Sequence, residues 1–542
     1  VAGKADFSRS VYELIKEKVD GNAAPGEFLD LEESEATDAV SWAPGALDNL
    51  FGSADGKSQD WTGILTLIND ILRGYVQSWQ EAEDITRNIP FMANIGKVGE
   101  YINRNGYPEE IYGFFLELAS KSRFVESVKW GIALAGPGLH PEDMNLIHIL
   151  ARYPEFTDCA GIAIIHGSKT FPSLKKELLV LLPNVYQWGT VNLIEIIIKE
   201  KELISDPRVQ DDIVIYGMEN NGGIPMEIAF TIAQAIDRER IFQQAREDRR
   251  YYEALHELMD TLLTEPDPLG GIDDLADRDM MLQRYFRLLS LAEPDIYLLE
   301  GLSNIEQYCS MKNCGYQGKE ELLVSLRELR GKMDYENIVL NALKNAKTCW
   351  KALAQIRKAP TPLLVEEVCR LFEKTPDNSI LIEILKSSGE VRYLKILFDA
   401  IPKLVNCEER KLQPMTFRNQ FGKAHRNNWE YAGIVAALGR LGTDEALHHL
   451  HEALRDYSPI VRCAAYRAIS GMDLKLKDPA WSGRYAVSVK EMLFEEHENT
   501  LDEVLEAALT LNVKVTATEY ERILENKNLS EDVAGKLRQL ME

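Results

Sequence analysis

No stretch of the 542 residues approaches the roughly 18 consecutive apolar residues that a membrane-spanning helix needs, so no span is expected. Residues 1–30 lack a basic start followed by an apolar run. No secretory leader is therefore visible, and the expected location is the cytoplasm. The chain begins at Val1 rather than Met, which leaves the earlier removal of an upstream segment open. Cysteine is scarce: seven residues, at 159, 309, 314, 349, 369, 407 and 463. An odd, dispersed set is the pattern of reduced, mostly buried thiols, not of a disulfide framework. Positive charge is also short, with 61 Lys and Arg against 86 Asp and Glu, a net of −25. That balance argues against a surface that generally attracts nucleic-acid phosphates or anionic lipid, and it suits a basic protein partner.

Catalytic signatures are missing too. There is no G-x-S-x-G and no H-E-x-x-H. Gly52-Ser53-Ala54-Asp55-Gly56-Lys57-Ser58 places three residues between its glycines, where a phosphate-binding loop needs four to wrap the phosphates with N–H groups. No apolar strand precedes it. It reads as a turn whose Ser58 caps the next helix. Cys309 and Cys314 lack the close paired spacing and the second pair of a zinc site. Asp267, Asp273, Asp274, Asp277 and Asp279 crowd one loop without the spacing of a calcium loop, and so read as a solvated loop. No cofactor or metal is called for.

What remains is an ordinary globular composition, 45% hydrophobic and 27% charged, in a strongly helical pattern. Residues 1–60 hold thirteen Asp and Glu against five Lys and Arg. A helix is predicted over Ser8 to Lys18. The Gly-, Ala- and Ser-rich stretch after it reads as irregular, docked through Trp42, Leu47, Leu50 and Phe51. From Trp61 to residue 401 almost every segment has helical apolar spacing, with Arg238 to Leu263 as one long helix. Apolar helices begin near 125, 155, 187 and 225, a recurrence every 30 to 40 residues that suits degenerate helical repeats. LLVLL and IVIY are short enough for strands, but their surroundings favour buried helix. Residues 473–542 read as closing helices that cap the array.

The stretch Tyr431 to Met472 carries the most specific signal. Ala436, Ala437, Leu438, Leu441, Leu447, Leu450 and Leu454 recur at helical spacing. Gly442-Thr443 punctuates after one helix and Asp456-Tyr457-Ser458-Pro459 after the next. Pro459 then opens a third helix, at a position where its missing N–H is harmless. This order, ALGxLG, an amphipathic helix, then D-x-x-P-x-V-R-x-A-A, resembles a HEAT repeat of the bacterial type over residues 429–472. The resemblance implies an all-α, right-handed α-solenoid of HEAT-like helix pairs, here with an irregular acidic N-terminal section. It implies a non-catalytic protein-binding scaffold. Contacts would then fall on His448, His451 and Arg455, while Asp456 and Arg462 would tie adjacent repeats together alongside Pro459 as structural positions.

Between the degenerate repeats and this unit, residues 402–428 interrupt the pattern. Lys403, Arg410, Lys411, Arg418, Lys423 and Arg426 face only Glu408 and Glu409, and Phe417 and Phe421 interleave with them. Insertions in repeat arrays are often functional loops, and mixed Arg and aromatic side chains suit protein contacts. The competing reading is a loop that pairs with the protein's own acids. His448-His449-Leu450-His451-Glu452 is the sole histidine cluster, but the helical phase puts the leucines inside and the histidines at the flank, which disfavours a metal site. Two other classes stay open. One is an inhibitory, immunity-type binder of a basic protein. The other is a HEAT-like enzyme such as a DNA glycosylase or a bilin lyase.

Overall fold

A computed structural model describes residues 9–21, 46, 61–264, 270–311, 314–415, 427–472, 479–525, 527 and 529–541. Regular structure among these residues is all helical; LLVLL and IVIY lie in helices, and one isolated bridge joins Val515 and Met541. Trp42, Leu47, Leu50, Phe51 and the Gly52–Ser58 turn lie outside the described residues. The chain divides into two compact units, Val1–Met333 and Asp334–Glu542. The boundary falls inside the stretch that the sequence reading treats as one run of repeats.

In the first unit, α1 (Val11–Asp20) starts at a capping box: the Ser10 hydroxyl accepts from Glu13 N–H while the Glu13 carboxylate accepts from Ser10 N–H. Two orphan donors are satisfied at once, which fixes the start three residues later than the apolar spacing suggests. Six further helices form a series: α2 (Tyr112–Lys121), α3 (Val125–Ala135), α4 (Pro154–Gly167), α5 (Trp188–Lys199), α6 (Pro207–Glu219) and α7 (Arg249–Thr264). Each packs on the next, and α7 packs on α8 (Ile296–Ser310). Small residues allow the approach. A Cβ on Gly131 would sit 2.6 Å from the Ala119 backbone nitrogen, and one on Gly136 would sit 2.7 Å from Ala163 Cα. Trp130 fills the space behind α3. It is fully buried, edge-on to Phe91 at 5.2 Å, with its indole N–H donated to the Ile89 carbonyl at 2.8 Å.

The single helix predicted over Arg238 to Leu263 is two helices, Arg238–Gln244 and α7. Asp248 makes the break. Its carboxylate accepts from Arg250 N–H at 2.7 Å, an N-terminal cap that starts a new helix in the middle of a charged run.

The second unit contains α9 (Ser379–Ser388), ended by Gly389 at φ 71°, and then α10 (Val391–Leu404). The left-handed φ is where glycine closes a helix without a Cβ clash. α10 runs through Pro402, so the start of the supposed insertion is helix; the proline lies in the last turn, where little of the hydrogen-bond ladder remains to be broken. There follow a short helix, Cys407–Lys411, then α11 (Asn428–Leu441) and α12 (Asp444–Ala453). The last three labelled helices are α13 (Pro459–Ser470), α14 (Pro479–Glu495) and α15 (Leu501–Thr510). Gly442 at φ 64° ends α11, and Thr443 caps α12 by accepting from Ala446 N–H at 3.3 Å. Helices α10, α11, α13 and α15 pack in chain order, while α12 packs on α14 beside them. Ala464, Ala465 and Ala468 keep α13 slim enough to lie between α11 and α15, with Ala465 fully buried.

Candidate functional site

The leucine phase of α12 sets everything around it. Ala446, Leu447, Leu450 and Ala453 are buried, which turns three histidines to three different surroundings. His448 points outward with 64% of its side chain exposed. His449 turns inward to Tyr431, its Nε2 2.9 Å from the tyrosine hydroxyl, with Phe398 edge-on at 5.9 Å. His451 faces α14, with Nε2 2.9 Å from Ser488 Oγ and its ring 5.9 Å from that of Tyr485. Burial depresses the pKa of both His449 and His451, and for His451 the cationic Arg455 and Arg484 add to the effect. Both rings are therefore neutral at pH 7. They diverge, and among the described residues no three His, Cys, Asp or Glu side chains group as a metal site.

Around the histidines lies a polar and aromatic patch. Trp481 donates its indole N–H to Asp444 Oδ1 at 2.8 Å, and the Arg484 guanidinium lies 4.8 Å above its ring. Tyr485 donates its hydroxyl proton to the Leu447 carbonyl at 2.8 Å, pinning α14 to α12. Arg455 pairs with Glu491 across the same two helices, both half exposed. Lys411 reaches Glu408 at 2.9 Å and Glu452 at 3.0 Å, and those two carboxylates raise its pKa. Val487 and Trp429 are exposed large apolar side chains of the same unit.

Beneath the patch runs a buried chain of charge. Arg410, read from sequence as a binding residue, is an internal tie. Its Nε and Nη2 each lie 2.7 Å from an oxygen of Asp456, and Nη1 donates to Asn428 Oδ1 at 2.9 Å. The guanidinium is also stacked between Tyr431 and Tyr457, at 4.8 and 4.5 Å. Such bidentate geometry is specific to arginine. Arg462 donates Nη1 to the Asp456 and Tyr457 carbonyls at 2.7 and 3.0 Å, and pairs through Nε and Nη2 with Glu496. Tyr466 and Thr500 donate their hydroxyl protons to the same carboxylate at 2.9 and 2.8 Å. Burial pushes the Glu496 carboxyl up, but Arg462, Thr500 and Tyr466 more than offset it, and the pKa stands below its ordinary value. Asp456 and Arg462 thus each pair outside their own segment, back to residue 410 and forward to residue 496. Pro459 is buried at the first position of α13.

Of the remaining sequence candidates, Lys403 is exposed at the end of α10, whereas Phe417, Arg418, Phe421, Lys423 and Arg426 lie outside the described residues. The aspartates of the 267–279 loop are engaged, apart from Asp267, which is also outside them. Asp273 and Asp279 pair with Arg278 at 3.0 and 2.7 Å, Asp277 pairs with Arg238 at 2.8 Å, and Asp274 accepts from Gly271 N–H at 2.8 Å.

Sequence reasoning missed Glu496, and it missed a second buried network in the first unit. There His256 Nε2 lies 3.0 Å from Glu300 and Nδ1 lies 2.7 Å from the Tyr285 hydroxyl. His256 and Tyr285 are wholly inaccessible and Glu300 nearly so. A histidine, a carboxylate and a phenol in contact are a catalytic set by type, but this one is sealed inside the core and meets no external substrate. Asp456 and Arg462 carried a signal, but Glu496 and the His256 network had none, because the partners stand 34 and 44 residues apart.

No protein-family model matches the chain, and no curated protein matches it. Among solved structures, the crystal structure of an engineered protein from a structural genomics consortium aligns at 14% identity with a TM-score of 0.23. That alignment covers 86% of this chain and 95% of the other.

Proposed function

We propose that the helices stack as HEAT-like pairs in a solenoid array and that the protein is a non-catalytic scaffold for another protein. The observation that carries this reading is the order of packing in the second unit. Helices α11, α13 and α15 succeed one another as one row while α12 and α14 form a second row beside them, as repeat units do when each buries its apolar face only against its neighbours. The charged residues with the most specific geometry, Arg410, Asp456, Arg462 and Glu496, are spent on holding segments together. The exposed His448 of α12, Arg455 just beyond its end, Lys411 paired to Glu452 from the preceding short helix, and Val487 of α14 offer contact chemistry. His451 borders the α12–α14 face.

The partner is a protein, and the net charge of −25 favours a basic one. Capture of tagged full-length protein from its native host, washed at low and at high salt, tests the proposal. A specific partner retained at high salt is the expected result. A basic partner lost at high salt favours the inhibitory, immunity-type reading, since exposed charge pairs are screened beyond roughly 8 Å at physiological ionic strength. No partner at either salt counts against both.

A further inference from the structure

Two helices of the first unit, α1 and the helix Trp79–Thr86, both pack on α2. The turn after α2 ties them together. The Ser122 carbonyl accepts from Val11 N–H at 2.9 Å, and the Ser122 hydroxyl donates to Glu83 Oε1 at 2.7 Å. The same carboxylate oxygen accepts from Arg123 N–H at 2.8 Å. A cleft of about 570 Å³ lies among these elements, with Glu83 and Trp79 in its wall.

Glu83 is 4% exposed, yet among the described residues no cation forms an ion pair with it. Both hydrogen bonds to its carboxylate end on Oε1, which leaves Oε2 to the cleft. The charges nearby are engaged elsewhere. Lys121 pairs with Glu117, and Asp84 pairs with Arg87 at 3.2 Å. Glu13 is held by the capping box of α1. Arg123 gives Glu83 its backbone N–H, while its guanidinium lies 5.9 Å from the centre of the Phe124 ring. A buried carboxylate without a counter-charge is costly, and a cation entering from solvent offsets that cost.

We propose that this cleft binds an organic cation, an alkylammonium or guanidinium group, with Glu83 Oε2 as the acceptor and Trp79 as an aromatic wall. The indole favours an organic cation, which gains from the ring face as well as from the carboxylate. A metal ion finds too few ligands, since among the described residues no three His, Cys, Asp or Glu side chains group to hold one. The cation is a free amine or the lysine or arginine side chain of a protein. The cleft belongs to the first unit and the proposed contact face to the second, so either can fail without the other.

Isothermal titration of the full chain at 150 mM salt tests the site, with n-butylamine and agmatine as free cations and acetyl-Gly-Lys-Gly-amide as the peptide. The amines or the peptide should bind at one site per chain, and n-butanol should not. Binding by the free amines alone assigns a small-molecule ligand; binding by the peptide assigns a protein side chain. Glu83→Gln keeps an oxygen for Ser122 and Arg123 N–H but removes the charge, and it should weaken binding at least about tenfold. Trp79→Leu should weaken it about two- to fivefold and serves as the second variant if Glu83→Gln does not fold. Glu100→Gln removes an exposed carboxylate elsewhere in the unit and should leave binding unchanged. No saturable binding of any of the three cations would overturn the proposal. So would equal binding of n-butanol, or binding that survives undiminished in folded Glu83→Gln or Trp79→Leu.

Discussion

Glu496→Ala is expected to destabilise the second unit by about 3–5 kcal/mol, the range for removing one partner of a buried ion pair. The carboxylate is fully buried and its side chain accepts from Arg462, Tyr466 and Thr500. Alanine leaves the Arg462 guanidinium, itself 5% exposed, without its counter-charge in a medium that cannot solvate it. Urea titration followed by circular dichroism measures the loss as a fall in midpoint. Replacing both members, Arg462→Met with Glu496→Leu, is expected to recover most of it, because the large effect comes from the stranded charge and not from the net worth of the pair. The pair also has a pH signature. The folded-state pKa of Glu496 lies below its unfolded value of 4.5, so its contribution is fully present above that pH and is lost as pH falls through the folded-state value. The difference between native protein and Glu496→Ala should therefore narrow below about pH 4.5.

Gly131→Ala is expected to destabilise the first unit by about 1–3 kcal/mol, although alanine is the better helix former. The new Cβ would lie 2.6 Å from the Ala119 nitrogen, and 2.9 Å from both Ala119 Cα and the Phe115 carbonyl oxygen. All three are backbone atoms, so α2 and α3 must separate and no rotamer change relieves the contact. Gly483→Ala supplies the opposite sign. That glycine is exposed within α14 with nothing inside 4 Å of a Cβ, and the substitution should stabilise by up to ~1 kcal/mol through helix propensity alone. Thermal melts of the two variants should move in opposite directions.

Those two glycines show what a sequence can and cannot disclose. Apolar spacing made the helices legible, and Gly389, Gly442, Thr443 and Pro459 marked their ends, because each acts through its own backbone or its neighbours'. Asp248 was hidden. Inside R-E-D-R-R-Y-Y it reads as one more surface charge, yet its carboxylate caps a helix and splits the predicted 238–263 segment in two. Charge partners were hidden for a different reason. Arg410 and Lys411 are adjacent and alike in sequence, but the first is buried against Asp456, 46 residues on, while the second is half exposed between Glu408 and Glu452. Which cation is a tie and which lies on a surface depends on tertiary packing, and neither composition nor local balance encodes it.

The most direct test of the binding claim is the affinity of the partner recovered in the salt-washed capture for the triple variant His448→Ala, His451→Ala, Arg455→Ala, measured by isothermal titration. These side chains lie on or border the exposed α12–α14 face and take no part in the Arg410–Glu496 chain. The account predicts a variant that unfolds cooperatively near the native temperature and binds at least about tenfold more weakly, a loss of roughly 1.4 kcal/mol or more. Undiminished affinity in a folded triple variant would contradict it.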